Sequence, residues 1–342
     1  MRLFLIFAFL VAEFAIAQSP SASSPSSASD ELARAHEDIQ HGRVAEAIAI
    51  LEKLNQTQPT LKGVAHDLGL ACYRNGKLTV AQQAFGKAIQ DDPNDVESVQ
   101  MMGLTLYRLG QPAAAIPYLE RVRQWTPNAE ADANYVLGLC YMNARRYDDA
   151  RKSFAGQYGV PPDSGSAYLL AGNMLLNANL QELAADAARR ALQLSPNLPL
   201  AHFMLGEVAL FKSSVDEALK EFEAERTLNP DYAPIYDRLG DLYLRTGKYQ
   251  EAQEDVMKAI SLDTSRTGPF VLMGKVLLRR SDPQSALLYL KHADKMDPAN
   301  YVTHTLLGQA YRILGREDDA KQEFDTAAKI QAATDREVQP LQ

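Results

Sequence analysis

Cysteine is scarce in this sequence: the 342 residues hold two, Cys72 and Cys140. That excludes a disulfide-dense scaffold and a multi-cysteine zinc module. Positive charge is in deficit, with 35 Lys and Arg against 43 Asp and Glu and a net charge of -8. The broad basic footprint that nucleic-acid binding requires is therefore missing. Six histidines occur, at His36, His41, His66, His202, His292 and His304, and none forms an H-E-x-x-H or comparable ligand pair. There is no phosphate loop, no G-x-G-x-x-G and no nucleophile elbow. The sequence thus points to no catalytic, cofactor-binding or metal-binding residue, and it reads as a non-enzyme without a cofactor. The paired carboxylates Asp148-Asp149 and Asp318-Asp319 stand where helices start and favour the helix dipole there. Beyond the first 17 residues no long apolar run exists. What is present is an ordinary globular composition, 46% apolar and 23% charged, with ample length for a core.

The two ends differ from the rest. Residues 1–17 read MRLFLIFAFLVAEFAIA, with Arg2 as a short positive region, an apolar run from Leu3 to Val11, and Ala15-Ile16-Ala17 before Gln18. This is the pattern of a cleaved secretory signal peptide, and the apolar stretch is shorter than the roughly 20 residues a spanning helix needs. It predicts an exported protein that is periplasmic, secreted or held in the cell envelope, with no membrane span once cleaved. Retention of the segment as an anchor is the alternative. Residues 18–29 are rich in Ser, Pro and Ala and carry no large apolar side chain, so they predict a flexible linker. Residues 335–342 read as a short frayed tail.

Between the ends the chain repeats itself. Glycine recurs at Gly69, Gly103, Gly138, Gly172, Gly206, Gly240, Gly274 and Gly308, in steps of 34 residues with a single step of 35. Alanine follows each glycine by twelve residues, from Ala81 to Ala320. Four residues later stand Phe85, Leu119, Phe154, Ala188, Phe222, Val256, Leu290 and Phe324. Proline closes most units, at Pro93, Pro127, Pro162, Pro196, Pro230 and Pro298. A looser first copy covers residues 28–61, with Leu32, Ala35 and Ile39 facing inward. In residues 233–266, Tyr236, Leu239, Gly240 and Tyr243 form one apolar helix face. Gly247 permits a turn, and Ala252, Val256 and Ala259 form the face of a second helix. The small residues Gly240 and Ala252 predict a close approach of the two backbones. One such hairpin cannot cover its own apolar face, but stacked copies can. Nine units result, at about 28–61, 62–95, 96–129, 131–164, 165–198, 199–232, 233–266, 267–300 and 301–334. Most aromatics, Phe85, Tyr141, Phe222, Tyr243 and Tyr311 among them, fall on packing positions, as do His202 and His304. Cys72 and Cys140 lie two units apart and predict two buried free thiols.

This pattern resembles the tetratricopeptide repeat family. The resemblance implies an all-α, right-handed α-solenoid over residues 30–334, with first helices lining a concave groove and second helices outside. It also implies a scaffold or adaptor that binds other proteins. The family's groove-facing positions fall here on Tyr73, Arg74, Leu104, Tyr107, Arg108, Tyr135, Met142, Asn143, Leu169, Asn173, Leu176, Asn177, Phe203, Glu207 and Phe211. Further along they fall on Asp237, Asp241, Arg245, Lys275, Leu278, Arg279, Gln309 and Arg312. Folding the hairpins does not require apolar residues at these positions, so an apolar strip with polar neighbours marks an interaction site. The three asparagines could pair with the backbone of an extended peptide. Charge along the strip runs basic near Arg74 and Arg108, acidic near Glu207, Asp237 and Asp241, and basic again from Arg245 to Arg312. The Lys and Asn pair by which some family members clamp a chaperone's carboxylate tail is absent. The expected function is an exported adaptor holding a peptide or helix of a partner protein in the groove. Self-assembly through the solenoid ends is the alternative.

Overall fold

A computed structural model of the chain describes residues 27–125 and 131–338. The leader of residues 1–17, most of the expected linker and Pro127 lie outside them. The chain divides into two compact units, Met1–Ala129 and Glu130–Gln342, where the sequence predicts one array. The division falls within the 35-residue step between Gly103 and Gly138.

Among the described residues the first unit holds three helical hairpins: α1 (Ala28–Gln40) with α2 (Val44–Thr57), α3 (Val64–Arg74) with α4 (Leu78–Asp91), and α5 (Val96–Arg108) with α6 (Pro112–Trp125). The linker ends earlier than its composition suggests, because Ser27 and Asp30 form a reciprocal capping box: the Ser27 hydroxyl accepts from the Asp30 amide, and the Asp30 carboxylate accepts from the Ser27 amide. The second unit holds six more hairpins. They are α7 (Ala131–Asn143) with α8 (Tyr147–Gln157), α9 (Gly165–Asn177) with α10 (Gln181–Leu194), and α11 (Ala201–Phe211) with α12 (Val215–Leu228). Then follow α13 (Ala233–Arg245) with α14 (Tyr249–Leu262), α15 (Thr267–Arg279) with α16 (Pro283–Met296), and α17 (Tyr301–Ile313) with α18 (Glu317–Val338).

Within each unit every second helix also packs on the first helix of the following hairpin. First helices touch one another across a repeat: α1 with α3, α3 with α5, α9 with α11, α13 with α15 and α15 with α17. Among the described residues no two second helices make comparable contact. The first helices therefore crowd on one side and the second helices splay on the other, which makes each unit an α-solenoid with an inner face of first helices.

The repeating glycine has a definite task. A Cβ at Gly206 would lie 2.6 Å from the Phe222 ring, one at Gly138 2.4 Å from Phe154, and one at Gly274 2.4 Å from Leu290. The glycine makes room for the large residue four past the alanine, more than for a backbone: at Gly240 the nearest atom is Val256 Cγ2 at 2.5 Å, and the Ala252 carbonyl is 3.4 Å away. Phe85, Phe154 and Phe222 are accordingly buried, as are the repeating alanines. In the fifth repeat, where Ala188 replaces the ring, Met204 of the following helix fills the space beside Gly172.

Second helices end two residues before proline, α4 at Asp91, α12 at Leu228 and α16 at Met296, since the residue preceding proline is driven out of the helical region. α14 stops at the same point, Leu262, although Thr264 replaces proline. There the Asp263 carboxylate accepts from the amide and hydroxyl of Ser265, a local turn that takes over the stop. The expected frayed tail is helical as far as Val338. Ala332 and Ala333 continue the helix where earlier repeats have proline.

Candidate partner-binding surface

The inner face sorts into side chains that the fold consumes and side chains that it leaves free. In the first unit Arg74 and Arg108 are consumed. Arg74 Nη1 donates to the Ile39 carbonyl at the end of α1, at 2.8 Å. Arg108 Nη1 donates to the Tyr73 carbonyl at the end of α3, at 3.3 Å, and its guanidinium lies 4.6 Å over the Tyr73 ring. Each cation therefore meets the carbonyl end of the preceding first helix, where the helix dipole is negative. Leu104 and Tyr107 stay half-buried beside them.

In the second unit the acidic band expected at Glu207, Asp237 and Asp241 is cancelled. Arg238, next to those positions in α13, clasps Glu207 with two bonds of 2.6 and 3.1 Å. Arg266, just before α15, reaches Asp237 at 2.5 Å. Arg245 pairs with Asp241 one helical turn away at 2.6 Å. The Asp241–Arg245 pair follows from i, i+4 spacing, but for Glu207 and Asp237 the sequence shows the charge and not which neighbouring element supplies the counter-ion. Burial pushes the Asp237 carboxyl upward, against the pull of Arg266.

Several aromatic and apolar candidates are likewise partly spent on packing. The Phe203 ring meets Phe222 at 5.3 Å and Tyr232 at 5.4 Å, both edge-on. Tyr135 leans on Phe154 at 6.0 Å. Met142, Leu169 and Leu176 rest on a core of Leu175, Ala184, Ala188 and Met204 with part of their surface open. Arg312 lies 5.5 Å over the Phe324 ring.

What remains is more restricted than the strip read from the sequence. Asn143, Asn173 and Asn177 are exposed, and their amides have no partner among the described residues. Phe211 at the end of α11 is 68% exposed. Between α15 and α17, Lys275, Leu278, Arg279, Leu306, Gln309 and Ile313 line a cavity of about 310 Å³. Neither Lys275 nor Arg279 has a carboxylate partner among the described residues. Ile313, 60% exposed at its edge, escaped the sequence reading. It occupies the thirteenth place of its repeat, as Arg74, Arg108 and Asn143 do of theirs, and that periodicity could have found it.

The face thus offers free amides, two unpaired cations and exposed apolar side chains, the chemistry of protein contact. Among the described residues no helix is long and apolar enough to cross a membrane. Comparison with known proteins agrees with the repeat. A tetratricopeptide repeat model matches residues 66–129 and 135–199, another of the same description matches 106–158 and 277–342, and a third matches 233–266. The chain is 25% identical over 273 residues to "Protein CTR9 homolog" of Arabidopsis thaliana, covering 77% of this chain and 25% of that protein. It is 22% identical over 285 residues to "Anaphase-promoting complex subunit 3" of Schizosaccharomyces pombe, covering 83% and 43%. It therefore spans a quarter to under half of the length of these relatives. Among solved structures, that of pilF of Pseudomonas aeruginosa superposes with a TM-score of 0.47 at 19% identity, over 56% of this chain and 88% of the other.

Proposed function

The chain belongs to the tetratricopeptide repeat family, and from that premise we propose that it is an exported, non-enzymatic adaptor whose first helices hold a peptide segment or helix of a partner protein. One observation carries the reading. After the fold has taken its caps, ion pairs and ring contacts from the inner face, Asn143, Asn173, Asn177, Lys275 and Arg279 remain without partners among the described residues, next to half-open apolar side chains. Amides so placed can meet the backbone of an extended segment, and the apolar side chains supply contact area. Export rests on the leader pattern of residues 1–17.

Site-specific photo-crosslinking in the native host tests the surface. Probes at Asn173 and Lys275 are expected to give discrete protein adducts, and a control probe at Lys220, exposed on α12, is expected to give none. Adducts from Lys220 alone would refute the assignment. Export has a separate test: fractionation of the host should find the protein outside the cytoplasm and beginning at Gln18. A chain starting at Met1 there would replace cleavage by the anchored alternative, and a chain confined to the cytoplasm would overturn export. The competing reading, assembly through the solenoid ends, finds less support. The final helix presents Lys321, Gln322, Asp325 and Lys329 to solvent, as a capping helix does. A mass that rises with concentration in light scattering would favour it.

A further inference from the structure

Tyr168 differs from three of its counterparts in the second unit. At those three places the fourth residue of the repeat meets a large or charged side chain of its own hairpin, whereas the Tyr236 hydroxyl donates to the Pro230 carbonyl. His202 Nδ1 stands 2.6 Å from Glu221, His304 Nδ1 stands 2.7 Å from Glu323, and the rings of Phe270 and His292 lie 4.4 Å apart. At Tyr168 the place of Glu221 and Glu323 is taken by Ala187. The missing side chain leaves a cavity of about 310 Å³ between α8, α9 and α10, with Leu175, Leu183 and Ala187 in its apolar wall.

The charges around the cavity are unbalanced. Asp148 is held by Arg151 at 2.6 Å and Lys152 at 2.9 Å, and Asp186 by Arg189 at 2.7 Å. Arg190 donates to Gln193 at 3.0 Å and has no carboxylate partner among the described residues. Arg151, its side chain only 5% exposed, lies 4.3 Å over the Tyr168 ring, and its Nε is buried without a hydrogen-bond partner. The volume suits one aromatic group, the lining suits a ring, and the free cation suits an anion next to it.

We propose that this cavity, away from the inner face, binds an aromatic ring carrying an adjacent carboxylate, the ring against Tyr168, Leu175 and Ala187 and the carboxylate at Arg190. A free aromatic acid and an aromatic side chain next to an acidic residue of a partner share this chemistry. Calorimetric titration of the purified protein with three probes tests it: N-acetyl-L-tryptophan, its uncharged amide, and the peptide acetyl-Gly-Asp-Trp-Gly-amide. At least one anionic probe should bind about tenfold tighter than the amide. If the acid is the tighter, the site takes free aromatic acids. If the peptide is the tighter, it takes a partner's side chain. Arg190→Gln should reduce the anionic probe to the affinity of the amide. Ala187→Tyr, which installs the residue found at position 289, should abolish binding with thermal unfolding unchanged, and Ala187→Glu serves should the tyrosine not be accommodated. Asn173→Ala on the inner face should leave probe binding intact, which separates this site from the adaptor reading. No heat from either anionic probe, equal binding of the amide, or undiminished binding to the filled variants would overturn the proposal.

Discussion

At Gly206 a single hydrogen decides whether a hairpin closes, because the space a methyl group would need is already held by the Phe222 ring. Gly206→Ala should therefore destabilise the protein by about 1–3 kcal/mol through overpacking. Combining it with Phe222→Leu should cost less than the sum of the two changes, a coupling that chemical denaturation of the four proteins of the cycle would measure. Asp255 is a second residue with a clear consequence. Burial outweighs Arg226, 3.4 Å away, and pushes its carboxyl up to about 6. The folded state thus holds this proton more tightly than the unfolded chain does. The stability linked to it is complete below the unfolded value near 4 and is lost as pH rises through about 6. Asp255→Asn should flatten that slope and raise stability near pH 8 by about 2 kcal/mol, read from unfolding midpoints across pH. Cys72 and Cys140 are free and fully buried, and burial lifts the Cys140 thiol to about 11. Alkylation at pH 8 should be at least about 100-fold slower in native protein than in denaturant, since the thiolate is the reactive form.

At the scale of the element, the turn inside each hairpin requires a left-handed residue. Gly42, Gly76, Gly110, Gly247 and Gly315 supply it in five repeats, at φ between 72° and 77°. Arg145, Asn179, Ser213 and Ser281 occupy the same place in the others, at φ between 57° and 60°. A side chain there costs conformational energy that glycine does not. Ser281→Gly should stabilise the protein by about 0.5–1 kcal/mol, visible as a higher unfolding midpoint. The proline that punctuates the sequence is less decisive than the turn. α14 ends on schedule with Thr264 in that position because Asp263 makes the stop from its own side chain.

At the scale of the whole molecule, each compact unit is a stack in which hairpins meet only their neighbours, so damage should remain local. Phe324→Ala, which empties the space under Gly308, should lower hydrogen-exchange protection in α17 and α18 first and leave α9 and α10 at their native level. A uniform loss across the second unit would show instead that the stack unfolds as one body. The same locality lets the inner face and the cavity beside Tyr168 be tested by separate substitutions.

The hairpins, their number and the inward residues of each follow from sequence alone, because small and large residues recurring at fixed offsets can satisfy one another in only one kind of stack. The offsets of Gly206 and Phe222, and of Gly274 and Leu290, are legible there, but the small residues read as a close backbone approach in fact make room for the larger side chain. The fate of the surface residues was not legible. Asp237 looks free until Arg266 is brought to it, Arg108 looks available until the Tyr73 carbonyl at the end of α3 accepts its hydrogen bond, and Ala187 looks like one small residue among several until it lines a cavity with Tyr168. Periodicity encodes what lies inside a hairpin, where spacing along the helix fixes distance. The counter-ions of Glu207 and Asp237, the carbonyl acceptors of Arg74 and Arg108 and the cavity beside Tyr168 involve other elements, and only the tertiary structure decides which side chain arrives there.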